Sequence, residues 1–175
     1  MSKPTLYLML GYPGAGKTTV AKLIQQLTGA TNLWADHIRR ERFGIPTYKH
    51  SENLELYQHL NNLTSELLAA GNSVIYDTNF NFYKDRERLR AMADKHQARA
   101  VVIWLTTPKS LAKQRATENA NSQTTRVLGN MPIKEFDRMS HNLQPPRATE
   151  RVLEIDGTNV NLHRVEQILK QANLI

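Results

Sequence analysis

The chain has 175 residues, which fits one domain, expected to run over residues 1–175 and large enough to bury a core. Apolar residues make up 40% and charged residues 22%, cysteine is absent, and the net charge is +7, so disulfide scaffolds and cysteine metal sites are excluded. The first apolar run, Leu6 to Leu10, is broken by glycine too early for a signal peptide or a membrane span, and a soluble cytoplasmic protein is expected.

In chain order, Leu6 to Leu10 reads as a short buried strand stopping at Gly11. Gly16 to Leu27 reads as a helix, with Val20, Leu23, Ile24 and Leu27 on one face. Asn32 to Ala35 reads as a second strand. Ser51 to Ala70 carries Leu56, Leu60, Leu63 and Leu67 at helical spacing, with Gly71 as a stop. Ser73 to Tyr76 reads as a strand ending at Asp77, and Tyr83 to His96 as a helix. Ala100 to Leu105 is an apolar strand, and Lys109 to Glu118 is helical. Met131 to Leu143 places Ile133, Phe136 and Met139 at helical spacing, as core or hinge packing, and Pro145-Pro146 ends it. Arg151 to Ile155 is a last strand, and Val160 to Ala172 a last helix with Val165, Ile168 and Leu169 in register.

Strands separated by helices pair in parallel through crossovers, which predicts an α/β fold: a mostly parallel central sheet with helices on both faces, three layers in all. Ligands of such sheets sit at the carboxyl ends of the strands. Gly11, Asp36 and Asp77 each stand at or just after such an end, so they converge on one edge.

The strongest motif is GYPGAGKT, Gly11 to Thr18, a match to G-x-x-x-x-G-K-[ST] between a strand and a helix. Its glycines let backbone amides turn around a phosphate, Lys17 adds a mobile positive charge, and the Thr18 hydroxyl suits a magnesium ion. The helix that follows adds its positive dipole end. The expected nucleotide-binding stretch is Gly11, Pro13, Gly14, Ala15, Gly16, Lys17, Thr18 and Thr19, with ATP and Mg2+ as the expected ligands. A guanine-reading N-K-x-D is missing, as is an apolar strand ending in Asp-Glu of the kind that ring-forming ATPases use to polarise water. A small kinase fits better, because it needs a base near an acceptor hydroxyl.

Asp36 and Arg39 supply that chemistry. An ionised carboxylate can take a hydroxyl proton as the oxygen attacks phosphorus. The planar fork of arginine suits phosphate. If a helix begins at Asp36, residues three apart share a face and the two side chains point together. A bland alternative is that Asp36 is simply an N-cap.

The order GYPGAGKTT, ADHIR, YDTNFN and an arginine-bearing polar stretch resembles the P-loop kinases related to the 5′-hydroxyl polynucleotide kinase domain. Zeta-toxin-like and chloramphenicol-phosphotransferase-like kinases are more distant relatives. The resemblance, from about Leu6 to Pro132, implies that Asp36 is the base and that Arg39 holds the acceptor's own phosphate. It also implies that Asp77 and Thr78, with Asn79 beside them, line the acceptor site and support that arginine. Arg126 would be the lid arginine at the transferring phosphate, where such groups are worth roughly 3–5 decades in rate. Related kinases often carry a second acid where this chain has His37, which reads here as a local hydrogen-bonder.

Other stretches carry two readings each. Glu118 to Met131 is polar and reads as a lid or as an ordinary loop, the lid spanning about residues 118–131. Arg115 pairs with phosphate or stacks on the base. Gly157 and Thr158 touch the adenine, by the same resemblance, or form a turn. YDTNFN is an acceptor segment or a strand-to-helix turn. Arg86 and Arg88 face substrate or solvent, with solvent the favoured reading. The net charge is a solvated surface or an attraction for an anionic partner, including DNA or RNA 5′ ends. Three functions follow: a kinase acting on the 5′-hydroxyl of a nucleic acid or nucleotide, a kinase acting on a small molecule (nucleoside, sugar or antibiotic), and an ATP-dependent regulatory switch without an acceptor.

Overall fold

The computed structural model describes residues 3–119 and 129–175. Five strands alternate with helices: β1 (Thr5–Leu10), α1 (Lys17–Thr28), β2 (Thr31–Trp34), α2 (Ala35–Phe43), α3 (His50–Ala69), β3 (Val74–Asp77), α4 (Tyr83–Lys95), β4 (Arg99–Leu105), α5 (Lys109–Thr117), α6 (Ile133–His141), β5 (Val152–Ile155) and α7 (Leu162–Gln171). All five strands pair in parallel, in the order β2-β3-β1-β4-β5. The α/β layered sheet read from the sequence is therefore the observed fold.

Strand β1 is buried along its whole length because both sheet faces are covered. Its side chains alternate between two cores. Tyr7 and Met9 join Val20 and Ile24 of α1 and Val165 and Leu169 of α7. Leu6 and Leu8 join Leu56, Leu60 and Leu68 of α3 and Leu89 and Ala93 of α4 on the other face. A smaller cluster packs Phe136 of α6 against Ala112 and Ala116 of α5, with Tyr12 of the phosphate loop on its flank.

Three readings of helix faces shift. The buried line of α3 is Glu52, Leu56, Leu60, Thr64 and Leu68, so Leu63 and Leu67 are only partly covered. On α6 only Phe136 of the three expected apolar positions is buried, and Ile133 is exposed. On α4, Arg86 is fully buried, against the solvent-facing expectation, while Arg88 is exposed. No helix among the described residues is long and apolar enough to cross a membrane.

Candidate active site

The carboxyl ends of three adjacent strands, β2, β3 and β1, build one rim. Gly11 follows β1 directly, Asp77 ends β3, and Trp34, the last residue of β2, is the register partner of Asp77. Two residues beyond Trp34 comes Asp36. Helix α2 starts at Ala35, so Asp36 lies in the first turn and is not the N-cap; that position is Trp34, whose side chain makes no cap bond. The acidic side chain also suits the positive end of that helix. Trp34 is packed from two sides, by the His37 ring stacked at 5.4 Å and by Lys22 with its Nζ 4.9 Å from the indole centroid. His37 also reaches Glu41, with Nε2 3.2 Å from Oε1, which makes it the local bonder that its position suggested.

The phosphate loop is braced from behind. A Cβ on Gly14 would lie 2.2 Å from the carbonyl oxygen of Ala112, so only glycine lets the loop sit this close to α5. Ala15 is buried, and its carbonyl accepts from the Thr107 hydroxyl at 2.7 Å. Gly157, after β5, backs onto the same place: a Cβ there would lie 2.4 Å from the Ala15 oxygen. Arg115 donates from Nη1 to the Gly157 carbonyl at 2.9 Å. Gly16 caps α1 in a left-handed conformation at φ 102°, and the Lys17 ammonium spans the loop to the Gly11 and Tyr12 carbonyls at 2.9 and 2.8 Å. Pro13 is buried and Thr19 is exposed.

Asp77 is where the acidic and phosphate-binding parts meet. Burial pushes its carboxyl up to about 6, against a hydrogen bond from Thr18 and the charge of Lys17, which pull it down. Its Oδ2 is buried without a hydrogen-bond partner. Asp77 thus faces Thr18 of the phosphate loop, whereas the resemblance placed it on the acceptor side in support of Arg39. Thr78 meets the Tyr57 hydroxyl at 3.1 Å, and the Oδ1 of Asn79 is another buried oxygen without a partner.

Arg39 is buried and turned away from the role expected for it. Its Nη1 donates to Glu52 of α3 at 2.6 Å and its Nη2 to Asn53 at 2.8 Å, so the guanidinium is held inside the protein between α2 and α3. Asp36 and Arg39 stand three residues apart on α2, but the arginine packs inward and the acid is exposed, so the two do not point together as expected. Arg126 lies outside the described residues, as does most of the expected lid.

A model of the AAA domain family matches residues 6–146. The chain belongs to that family. No curated protein matches the sequence. Among solved structures this AAA-domain chain is similar to a candidate kinase from Chloroflexus aurantiacus, with 18% identity, a TM-score of 0.76, and 99% and 97% of the two chains covered. It is similar to Kti12 from Chaetomium thermophilum, solved with ADP-AlF3, at 14% identity, a TM-score of 0.73, and 95% and 96% coverage. It is also similar to the APS kinase CysC of Mycobacterium tuberculosis, solved with AMPPNP and APS, at 17% identity, a TM-score of 0.64, and 99% and 98% coverage. The fold is thus shared with solved kinases. The AAA domain match does not single out the 5′-hydroxyl polynucleotide kinases.

Sequence reading missed several residues of this AAA-domain rim. Glu52 was overlooked although it stands four residues before Leu56 on the buried line of α3, where a carboxylate requires a partner. Thr47 and Tyr48, both of which donate to Glu52, sit in an irregular stretch with no periodicity to mark them. Asn81, the last residue of YDTNFN, donates from Nδ2 to the Met139 carbonyl at 2.9 Å and accepts from the Gln144 amide at 2.8 Å. The loop after β3 is thereby sewn to α6, the helix that follows the expected lid.

Proposed function

We propose that the protein is an ATP- and magnesium-dependent kinase that transfers the γ-phosphoryl to a hydroxyl, with the 5′-hydroxyl of a nucleic acid or nucleotide as acceptor. The observation that carries this reading is the pairing of two acids with different surroundings on one rim. Asp77 is buried against Thr18 of the phosphate loop, and Asp36, one strand further out, is exposed. One acid is suited to the metal side and the other to a hydroxyl that arrives from solvent.

In this reading the loop amides and Lys17 bind the β- and γ-phosphates, and the amino end of α1 adds its dipole. Thr18 and Asp77 would hold Mg2+; the oxygen ligands and the partnerless buried Oδ2 of Asp77 fit such a hard cation. When bound, the ion supplies charge neutralisation at the transferring phosphate. Asp36 accepts the acceptor's proton as its oxygen bonds to phosphorus and the bond to ADP breaks. Arg126 is the proposed lid arginine, and Arg115 with Gly157 borders the base. The APS kinase neighbour holds AMPPNP, which supports ATP as donor. The acceptor rests on the resemblance carried by Asp36 and the D-T-N-x-N segment and on the net charge of +7.

A small-molecule acceptor is the second reading. It is favoured by Arg39, whose two terminal nitrogens are engaged by Glu52 and Asn53. The test uses γ-labelled ATP, Mg2+ and a panel of 5′-hydroxyl DNA and RNA, 3′-nucleotides, nucleosides and sugars. Label on the oligonucleotides, reduced about 10²–10⁴-fold in Asp36→Asn, supports the proposal. Label on a sugar or nucleoside alone selects the second reading. Free phosphate released equally by both proteins removes the base assignment.

A further inference from the structure

The stretch between α2 and α3 holds an unusual tyrosine. Tyr48 has φ 55°, a left-handed backbone that a bulky residue adopts only under constraint. Among the described residues the other non-glycine positions with positive φ, Gln97 and Asn173, follow helix ends, where that conformation is an ordinary stop. Tyr48 instead lies two residues before α3 and is held there by a small network. Glu52 accepts from the Thr47 amide at 2.8 Å, from the Thr47 hydroxyl at 2.6 Å and from the Tyr48 amide at 3.4 Å. Asn53 donates from Nδ2 to the Tyr48 carbonyl at 3.3 Å.

The same Glu52 and Asn53 hold Arg39, and the guanidinium of Arg39 lies 4.7 Å from the centroid of the Tyr48 ring. The result is a stack: two α3 side chains fix an arginine of α2, and the arginine carries the aromatic ring. Despite this support Tyr48 remains 46% exposed, whereas the phenols of Tyr57 and Tyr76 find partners inside the protein. Asp36 is on the same helix as Arg39, three residues earlier. Burial and the carboxylate of Asp36 together push the phenol above its ordinary range, so it stays neutral.

We propose that Tyr48 is an acceptor-binding residue: its ring, carried on the Arg39 that follows Asp36 by three residues on α2, is the platform on which the base of the acceptor's 5′-terminal nucleotide stacks. This rests on the acceptor proposed above. It gives Arg39 a different task from the phosphate contact expected of it, because the arginine shapes the acceptor site from behind. Stacking requires only a π face and would serve every base alike.

The test compares wild type, Tyr48→Ala and Tyr48→Phe on two oligonucleotides, one with an ordinary 5′-terminal base and one with an abasic 5′-terminal sugar. Tyr48→Ala is expected to raise the KM for the ordinary oligonucleotide about tenfold to a hundredfold, with kcat and the KM for ATP close to wild type. Tyr48→Phe keeps the ring and is expected to keep the KM. The abasic acceptor is expected to be insensitive to either change. Equal losses on both oligonucleotides, or a loss in kcat alone, overturn the stacking role while leaving the acceptor class in place. No transfer to either oligonucleotide by wild type overturns both. Thermal unfolding of each variant separates a local effect from a general loss of fold.

Discussion

Two arginine–glutamate pairs are buried among the described residues, and they are built differently. Arg86 of α4 meets Glu150 as a fork, Nε to Oε1 at 2.7 Å and Nη2 to Oε2 at 3.0 Å, with both side chains fully enclosed. Its remaining Nη1 donates to the Phe80 carbonyl at 2.8 Å, and Glu150 also accepts from the Arg147 amide at 2.8 Å. Burial pushes Glu150 up, and Arg86 with the Arg147 amide more than reverses it, so the carboxyl stays below its ordinary range. Arg39 makes one bond to Glu52, leaves Nε without a partner, and has an exposed tyrosine on its face. The first pair closes a seam between the loop after β3 and the segment before β5. The second stands directly behind the rim that carries Asp36. A charge pair sealed on every side serves the scaffold, and one with an open flank shapes the surface in front of it.

Breaking the sealed pair should have the largest effect on the fold. Glu150→Ala leaves a buried guanidinium uncompensated, which costs about 3–5 kcal/mol. At roughly 2–4 °C per kcal/mol for a chain of this size, calorimetry should show a Tm lower by about 6–20 °C. Where the variant is still folded, KM for ATP and acceptor should stay near wild type. A Tm drop under about 2 °C would mean that the pair is not the seam described. Replacing both partners, Arg86→Met with Glu150→Leu, should recover much of the loss, because no charge is then left unpaired.

Breaking the open pair should act on binding first. Glu52→Gln keeps the size and removes the charge that holds Arg39 and the Thr47–Tyr48 backbone. The acceptor KM should rise about tenfold, within the range for a lost stacking platform. In a double-mutant cycle, Glu52→Gln added to Tyr48→Ala should change the acceptor KM little further, because both act through the same ring. Additive losses would show that Glu52 and Tyr48 serve separate ends.

Both pairs were half legible in the sequence. The periodicity that exposes a buried helix face shows Glu52 in line with Leu56 and Leu60, and Arg86 in line with Leu89 and Ala93. A charge on such a face announces a partner, but its identity comes from a distant segment, 13 residues away for Arg39 and 64 for Arg86. The strands and the phosphate loop needed no such information, since an apolar run and a spaced set of glycines are local signals. The relation of Asp77 to Thr18 was hidden for the opposite reason. It depends on β3 lying beside β1, and strand order is not written in the pattern of any one strand. Tyr48 was hidden most deeply, because an irregular loop gives no period and a positive φ leaves no mark on the residue type.

The smallest expected effect separates the two carboxylates near the rim by pH. Glu52 is held down at about 2, by the Thr47 hydroxyl first and by Arg39 after it, so its contribution to stability is full above the ordinary carboxylate range near 4.5 and is lost as pH falls toward 2. Asp77 has the reverse sign. Burial raises it to about 6 from 3.8, so the folded state binds the extra proton between these values, and stability falls as pH rises through that window and then levels. The proposed metal role of Asp77 needs the ionised form, which would make the same titration visible in catalysis. The Mg2+ concentration for half-maximal transfer should rise about twofold between pH 7 and pH 6 and more steeply below, because protons and the cation compete for one carboxylate. Glu52 is ionised throughout that range and contributes nothing to the slope, so a Glu52→Gln variant should reproduce the same Mg2+ profile at a raised acceptor KM. A flat Mg2+ profile from pH 5 to 7 would remove Asp77 from the metal side of the site and return it to the acceptor segment where the resemblance had put it.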